Sequence, residues 1–574
     1  MSLILAACGG GGSDPAPQPP VNPPVTPPQT LVTVSGRVNY EFVPPNANCS
    51  GLDFAGTIVR PIRGATVQLL DASTEAVLAS TVASDTGDYS FADVTASSDV
   101  RLRVLAELKK SGSPSWDVEV RDNVDTSANP VALPSRPLYA VDGSNFNTGT
   151  ADVVRNLTAT TGWGTDSYTG DRSAAPFAIL DAIYSGMRLV LEADPNADFP
   201  ALDAFWSINN TSLSGSPDDG EIGTSYYTTN PDGGAPNPSL FLLGDADSDT
   251  EEFDDHVVVH EWGHYFEDNF SRSDSIGGAH TLGESLDARL AFGEGFATAL
   301  AAMSLDEPQY CDTGAAGVAS GFGINAESDN AGIQGWFNEL SVVTFLYDLY
   351  DTTNENGDTG SIGFAPIFAT MTGPQADTPA FTSVFSFAAA LRTESSLDAS
   401  DIAFIDAQLS RENINPVGID IWGGGEINNA NGGQDVLPLY TELPIDGTPV
   451  VVCTNSDFDS DRDGNKLAQS RYLRFTVPSP DSFTMSAVTQ PTTPPLPADD
   501  PADARDQSDP DLFVQLNGAF IAQGISGEAN LEAFVTPVLD AGTYVAELQE
   551  FRFADEDTAA DFPDQVCFEV TMTP

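Results

Sequence analysis

Apolar and polar residues alternate in short runs from Thr33 to about Pro134. Val34–Tyr40, Ala65–Leu70, Val77–Val82, Tyr89–Phe91 and Val100–Leu105 are the predicted strands, separated by Gly, Pro and Asp turns. After about Pro137 the period changes. Ile179, Leu180, Ile183, Met187, Val190 and Leu191 recur at helical spacing and predict a helix over Ala174–Glu192. Phe205–Asn209, Gly223–Tyr227 and Ser239–Gly244 read as short β segments. A helix is expected from about Glu252 to Phe270, with others across Leu290–Met303, Trp336–Tyr350, Pro366–Met371, Phe381–Arg392 and Ala399–Arg411. Sheet first and helices afterwards is an α+β arrangement. From about Leu437 strands return, most clearly at Arg471–Val477, Leu512–Leu516 and Thr543–Leu548. The expected organisation is multidomain: a terminal segment 1–30, a β-sandwich 31–136, an α+β domain 137–436 and a second β-sandwich 437–574.

Composition narrows the partners. The 574 residues include 84 acidic and 22 basic side chains, for a net charge of −62. Such a field excludes nucleic acid and anionic membrane surfaces and favours solubility in salt and divalent cations. Leu5-Ala6-Ala7-Cys8 matches a bacterial lipobox, and the Gly- then Pro-rich stretch to about Gln29 reads as an extended tether. The expectation is an exported, outer-membrane lipoprotein, periplasmic or at the cell surface, that meets the membrane only through lipid on Cys8. No later stretch has the length of a transmembrane helix. Export permits disulfides. Cys453 and Cys567 bracket the last domain and are the expected bridge, with Cys49–Cys311 as the second.

The chemistry concentrates in His256-Val257-Val258-Val259-His260-Glu261-Trp262-Gly263-His264. Residues four apart share a helix face, so His260 and His264 can grip one metal while Glu261 points at its open position. The chain has four histidines, and three of them fall here at four-residue steps. Chance places such a His-Glu-x-x-His match about 0.01 times in a chain so poor in histidine. A catalytic zinc needs a third protein ligand. Glu284 and Glu294 are the candidates, and Glu294 is preferred because Leu290, Phe292, Phe296 and Leu300 surround it at helical spacing. Gly293 and Gly295 beside it would let helices approach closely.

His260-Glu261-Trp262-Gly263-His264 followed by Gly293-Glu294-Gly295-Phe296-Ala297 resembles the gluzincin metallopeptidases, thermolysin-like and aminopeptidase-N-like. The similarity spans roughly Ala174 to Tyr350. Ser225-Tyr226-Tyr227 and Leu242–Asp247 are similar to the thermolysin-like edge strand and the acidic turn after it. Gly64–Asp71 with Thr86–Phe91 resembles a carboxypeptidase-regulatory-like sandwich. Asp509–Val514 with Ala541–Leu548 resembles the pre-peptidase C-terminal sandwich. The resemblance implies a gluzincin-type core flanked by β-sandwiches, acting on peptide or protein substrates with Zn2+. Glu261 would be the general base, with a tyrosine or histidine as oxyanion donor. No histidine follows His280, so Tyr347, Tyr350, Tyr310 and His280 are the candidate donors, with Tyr347 and His280 carried forward.

Further expectations are weaker in signal. Asp255 and Asp287 are candidate acceptors behind the ligand imidazoles. Asp245/Asp247/Asp249 and Asp459–Gly464 are candidate Ca2+ runs. The competing reading is a catalytically inactive surface-binding lipoprotein that keeps the peptidase fold, and the intact Glu261 argues against it.

Overall fold

The computed structural model describes residues 30–229, 237–328, 332–353, 359–431, 436–459, 462–491, 507–555, 558 and 562–574. Cys8 and the Pro-rich stretch lie outside these residues, as does part of the Asp459–Gly464 run. The first strands are β1 (Leu31–Phe42), β2 (Ile58–Pro61), β3 (Ala65–Asp71), β4 (Val77–Val82), β5 (Asp88–Thr95), β6 (Asp99–Lys110) and β7 (Trp116–Arg121). β1 pairs antiparallel with β2 and β5, and parallel with β10 (Val153–Val154) and β11 (Leu157–Ala159). The facing sheet holds β3, β4, β6 and β7, with β8 (Ala140–Asp142) and β9 (Phe146–Asn147) added to β6.

That sheet does not stop at the expected boundary near residue 136. β7 continues in parallel to β12 (Leu202–Trp206), then to β14 (Ser239–Leu242), and ends at the antiparallel edge strand β13 (Tyr226–Thr228). The N-terminal sandwich and the helical domain share one nine-stranded sheet and one hydrophobic core, in which Val104, Ile183 and Trp262 are all buried. Composition along the chain could not show this, because the junction is made by hydrogen bonds between strands about 80 residues apart.

The helices stack on that sheet as α1 (Ala175–Ala193), α2 (Asp255–Phe270), α3 (Ala288–Leu305) and α4 (Glu339–Tyr350). Small residues set their crossings. A Cβ on Gly263 would lie 2.8 Å from Ala297 Cα, so α2 and α3 touch at backbone distance there. Gly186 lies under the Trp262 ring, and Gly295 under Val342 of α4. Gly295 thus serves the α3–α4 crossing, whereas Gly263 serves the α2–α3 crossing. The hairpin β15 (Gln309–Thr313) and β16 (Gly321–Asn325) follows α3, joined to the N-terminal segment by the Cys49–Cys311 disulfide. Helices α5 (Phe364–Thr370), α6 (Val384–Leu391) and α7 (Ala399–Arg411) complete the layer.

The C-terminal sandwich has its own core around Phe475, Met485, Leu548 and Phe568. One sheet runs β17 (Tyr440–Glu442), β19 (Ser470–Val477), β24 (Gly542–Glu550), β21 (Pro510–Leu516) and β22 (Ala519–Gly524). The other runs β18 (Val450–Asn455), β25 (Gln565–Thr573), β20 (Thr484–Thr489) and β23 (Leu531–Val535), with Cys453 and Cys567 bridged across β18 and β25. At its contact with α3, buried Arg289 pairs with Glu547 and Asp287, and the Tyr472 hydroxyl donates to Asp287. Among the described residues, no helix is long and apolar enough to cross a membrane.

Candidate metal centre

α2 buries Val257, Val258, Val259, Trp262 and Phe266 and turns His260 and His264 toward α3. There Glu294 meets both: its Oε2 is 3.2 Å from His260 Nε2 and 3.3 Å from His264 Nε2. The three ligand atoms form one compact group. For a tetrahedral ion with bonds of about 2.0–2.1 Å, neighbouring ligand atoms are about 3.3 Å apart, so the spacing fits. Two imidazoles and one carboxylate are the donor set of a catalytic rather than a closed structural zinc site.

The polar groups behind the ligands complete the fit. With Nε2 facing the centre, His260 Nδ1 bonds to the Thr298 hydroxyl at 2.9 Å. His264 Nδ1 faces Glu267 Oε2 at 3.5 Å. Glu267 is fully enclosed, and both its oxygens lack any closer hydrogen bond. Burial raises its carboxyl to about 7, against the pull of His264. These two residues hold the imidazoles, not Asp255 and Asp287. Asp255 pairs with Arg60 at 2.7 Å, and Asp287 caps α3 and binds Arg289. The missed signal was helical spacing: Glu267 is three residues after His264, and Thr298 four after Glu294.

The charged groups of the centre act strongly on one another. Burial pushes the Glu294 carboxyl up, but His264 and the hydrogen bonds from His260 and His264 hold it well below the carboxylate range. Burial lowers His264, and Glu294 and Glu267 raise it well above an ordinary imidazole. Glu261 lies beside the ligands, raised by burial against the pull of both histidines.

The ligands sit in a cleft of about 1060 Å³. The edge strand β13 forms one wall, the loop Gly277–Gly283 another, and the β15–β16 hairpin a third. His280 is in this cleft, with Nε2 3.7 Å from Glu294 Oε2 and 3.8 Å from Glu339 Oε2. Glu339, the first residue of α4, was not singled out by sequence; burial and then Glu294 raise its carboxyl to about 7. Tyr347 is elsewhere. Eight residues farther along α4, about 12 Å of rise, it is buried against Tyr350 and takes no part in the cleft lining. Of the candidate donor tyrosines, Tyr310 does line the cleft, with its ring 6.4 Å from that of His260; Tyr226 and Tyr227 of the β13 wall line it too.

The remaining candidates fall away from the ligands. Glu284 accepts from the Thr281 amide and faces Lys466. His256 contacts the Glu307 carbonyl at 3.1 Å. Of the first acidic run, Asp245 accepts from the Asp247 amide, while Asp249 instead joins Glu251 and Asp312 in a second group of carboxylates.

No curated protein matches this chain. Among solved structures, the pre-peptidase C-terminal domain of collagenase from Bacillus anthracis is similar at 10% identity, with 23% of this chain and 91% of that chain covered and a TM-score of 0.15. The surface-associated copper-binding protein CorA of Methylomicrobium album BG8 is similar at 11% identity, covering 23% and 96%, with a TM-score of 0.17. Residues 212–404 match the family model described as the Mycolysin C-terminal domain. That segment contains α2, α3 and α4 with all three candidate ligands, so the part of the chain that carries the site is peptidase-related.

Proposed function

We propose that this protein is a zinc metallopeptidase of gluzincin type, exported and tethered to a membrane by lipid on Cys8. The observation that carries the reading is the convergence of His260, His264 and Glu294 in an open cleft, with Glu261 beside them. Bound there, zinc would polarise the scissile carbonyl and acidify water. The chain supplies the rest. Glu261 accepts a proton from the attacking water and delivers it to the leaving nitrogen. His280 donates from its ring to the carbonyl oxygen as that atom gains charge, with Glu339 orienting the imidazole. β13, the last strand of its sheet, offers its outer edge for pairing with an extended peptide backbone. Two disulfides suit an oxidising compartment outside the cytoplasm.

Hydrolysis of casein and of an unstructured peptide tests this, run side by side for wild type and Glu261→Gln. Cleavage by wild type and at least a thousandfold loss, about 4 kcal/mol of barrier, in Glu261→Gln is the expected result. Zinc-loaded wild type that cleaves neither would leave a binding protein instead.

A further inference from the structure

A second large cavity, about 780 Å³, opens around the first turn of α2 and has the size of a small-molecule site. No described residue lines both it and the metal cleft. Strand β15 runs between them: Tyr310 and Asp312 line the cleft, and Gln309 and Cys311 the other cavity. The chain has 22 basic against 84 acidic side chains, yet two arginines, Arg60 and Arg63, line this cavity together. Arg60 lies over the Phe42 ring, its guanidinium carbon 3.3 Å from the ring centre, and donates from Nη1 to Asp255 Oδ2 at 2.7 Å. Arg63 donates from Nε to the Asp181 carboxylate, and from Nη2 to the Asp181 carbonyl and the Ser185 hydroxyl. A guanidinium has five N–H donors, so both arginines keep donors to spare.

Two residues of the same lining carry enclosed polar atoms without a partner. Asp255 Oδ1 and the Ser304 hydroxyl bond to no described residue. Burial raises the Asp255 carboxyl to about 6 against the pull of Arg60. The other acids of the lining are engaged. Asp254 accepts from the Thr313 amide and hydroxyl, Glu307 from the Gln309 amide, and Asp181 from Arg63 and the Tyr40 hydroxyl. What the cavity lacks is a donor for Asp255 and an acceptor for the guanidiniums. The Ser304 hydroxyl can serve as either.

We propose that this cavity binds a free α-amino acid with an apolar side chain. Arg60 and Asp255 are in contact, so the unused donors of one neighbour the unused acceptor of the other. An α-amino acid carries its carboxylate and its ammonium on one carbon and answers both at once, the carboxylate on the guanidiniums and the ammonium at Asp255 Oδ1. Phe42, Phe253 and Leu305 supply an apolar wall for the side chain. A simple anion would leave Asp255 Oδ1 without a donor, and a simple cation would leave the guanidiniums without an acceptor. A zwitterion adds no net charge to two arginines that are already paired with two aspartates. The site stands independently of the peptidase reading of the metal centre.

Calorimetric titration of the zinc-loaded full chain tests this without requiring turnover. The probes are L-leucine, L-leucinamide, which lacks the carboxylate, and N-acetyl-L-leucine, which lacks the ammonium. The expected result is that wild type binds leucine at least about tenfold more tightly than either derivative, roughly 1.4 kcal/mol. Arg60→Gln should lose that margin. Asp255→Asn, of the same size, should narrow the gap between leucine and N-acetyl-leucine. Glu294→Ala, which alters the metal cleft and leaves this cavity intact, should bind leucine as wild type does. Equal affinities for the three probes on wild type overturn the proposal whether or not Arg60→Gln folds, and so does the absence of binding at millimolar leucine. Binding that is lost in Glu294→Ala and kept in Arg60→Gln places the amino acid in the metal cleft and overturns it as well. If wild type binds leucine with the expected selectivity but cleaves no peptide, the hydrolytic reading fails and this site stands.

Discussion

Lys466, in the C-terminal sandwich, donates its ammonium to the carbonyl of Ala279 at 2.8 Å, one residue before His280 in the cleft wall. Beside it, the Asn465 amide donates to the carbonyls of Gly277 and Ala279 at 2.9 and 3.0 Å. The C-terminal domain thus fixes the loop that presents His280. Asn465→Ala removes two of these bonds, each worth about 1 kcal/mol. The expected outcome is a kcat lowered about tenfold, with zinc content per chain unchanged, measured by steady-state hydrolysis and metal analysis. An unaltered kcat would show that the loop holds its shape without the sandwich.

The groups behind the ligands should govern metal affinity. Glu267→Gln removes the charge facing His264, and Thr298→Val removes the hydroxyl on His260. Each is expected to weaken zinc binding about 10- to 100-fold, read by competition with a chromophoric chelator. Asp255→Asn, which acts on Arg60 instead, should leave that affinity unchanged.

Gly263 is the tightest point between the two ligand helices. The methyl of Gly263→Ala would meet Ala297 Cα at 2.8 Å and its Cβ at 2.9 Å, with backbone on one side and no flexible side chain to yield. The helices must separate, at a cost of about 1–3 kcal/mol. A fall in melting temperature of several degrees, together with weaker zinc binding, is the expected readout.

Local chemistry was the most legible part of the chain. The spacing of His260, Glu261 and His264 and the apolar setting of Glu294 were enough to nominate the ligands, because i, i+4 geometry on a helix follows from sequence alone. Strand and helix positions were also near: Val77–Val82 and Ala399–Arg411 are as expected, and α1 is displaced by one residue. What sequence hid was long-range. β7 joins β12 through backbone bonds, which leave no mark on side-chain pattern. The β15–β16 hairpin, which brings Tyr310 and Asp312 to the cleft, is short and glycine-rich and shows little alternation. Tyr347 looked apt on an apolar helix, but only the N-terminal end of α4 faces the site, and Glu339 occupies it.

Carboxyl groups whose pKa burial raises make stability fall as pH rises. Burial, then Asp312, raises the Asp249 carboxyl to about 7, and burial raises Asp312 to about 6; both start near 3.8 when unfolded. Between about pH 4 and 7 the folded chain therefore binds more protons than the unfolded one, so stability declines with rising pH across that window. The cost is absent below the unfolded pKa and complete above the folded one. Melting temperatures between pH 4.5 and 8 should fall for wild type and fall less for the Asp249→Asn/Asp312→Asn double variant. Equal slopes would mean the pair is not the source.

The most direct test of the central claim is metal-dependent hydrolysis by the intact chain. Protein stripped with a chelator and dialysed should cleave no peptide, and one equivalent of zinc per chain should restore cleavage in wild type. Glu294→Ala, lacking the third ligand, should neither retain zinc nor recover activity. Full hydrolysis by the stripped protein, or zinc-restored hydrolysis by Glu294→Ala, would contradict a centre built from His260, His264 and Glu294.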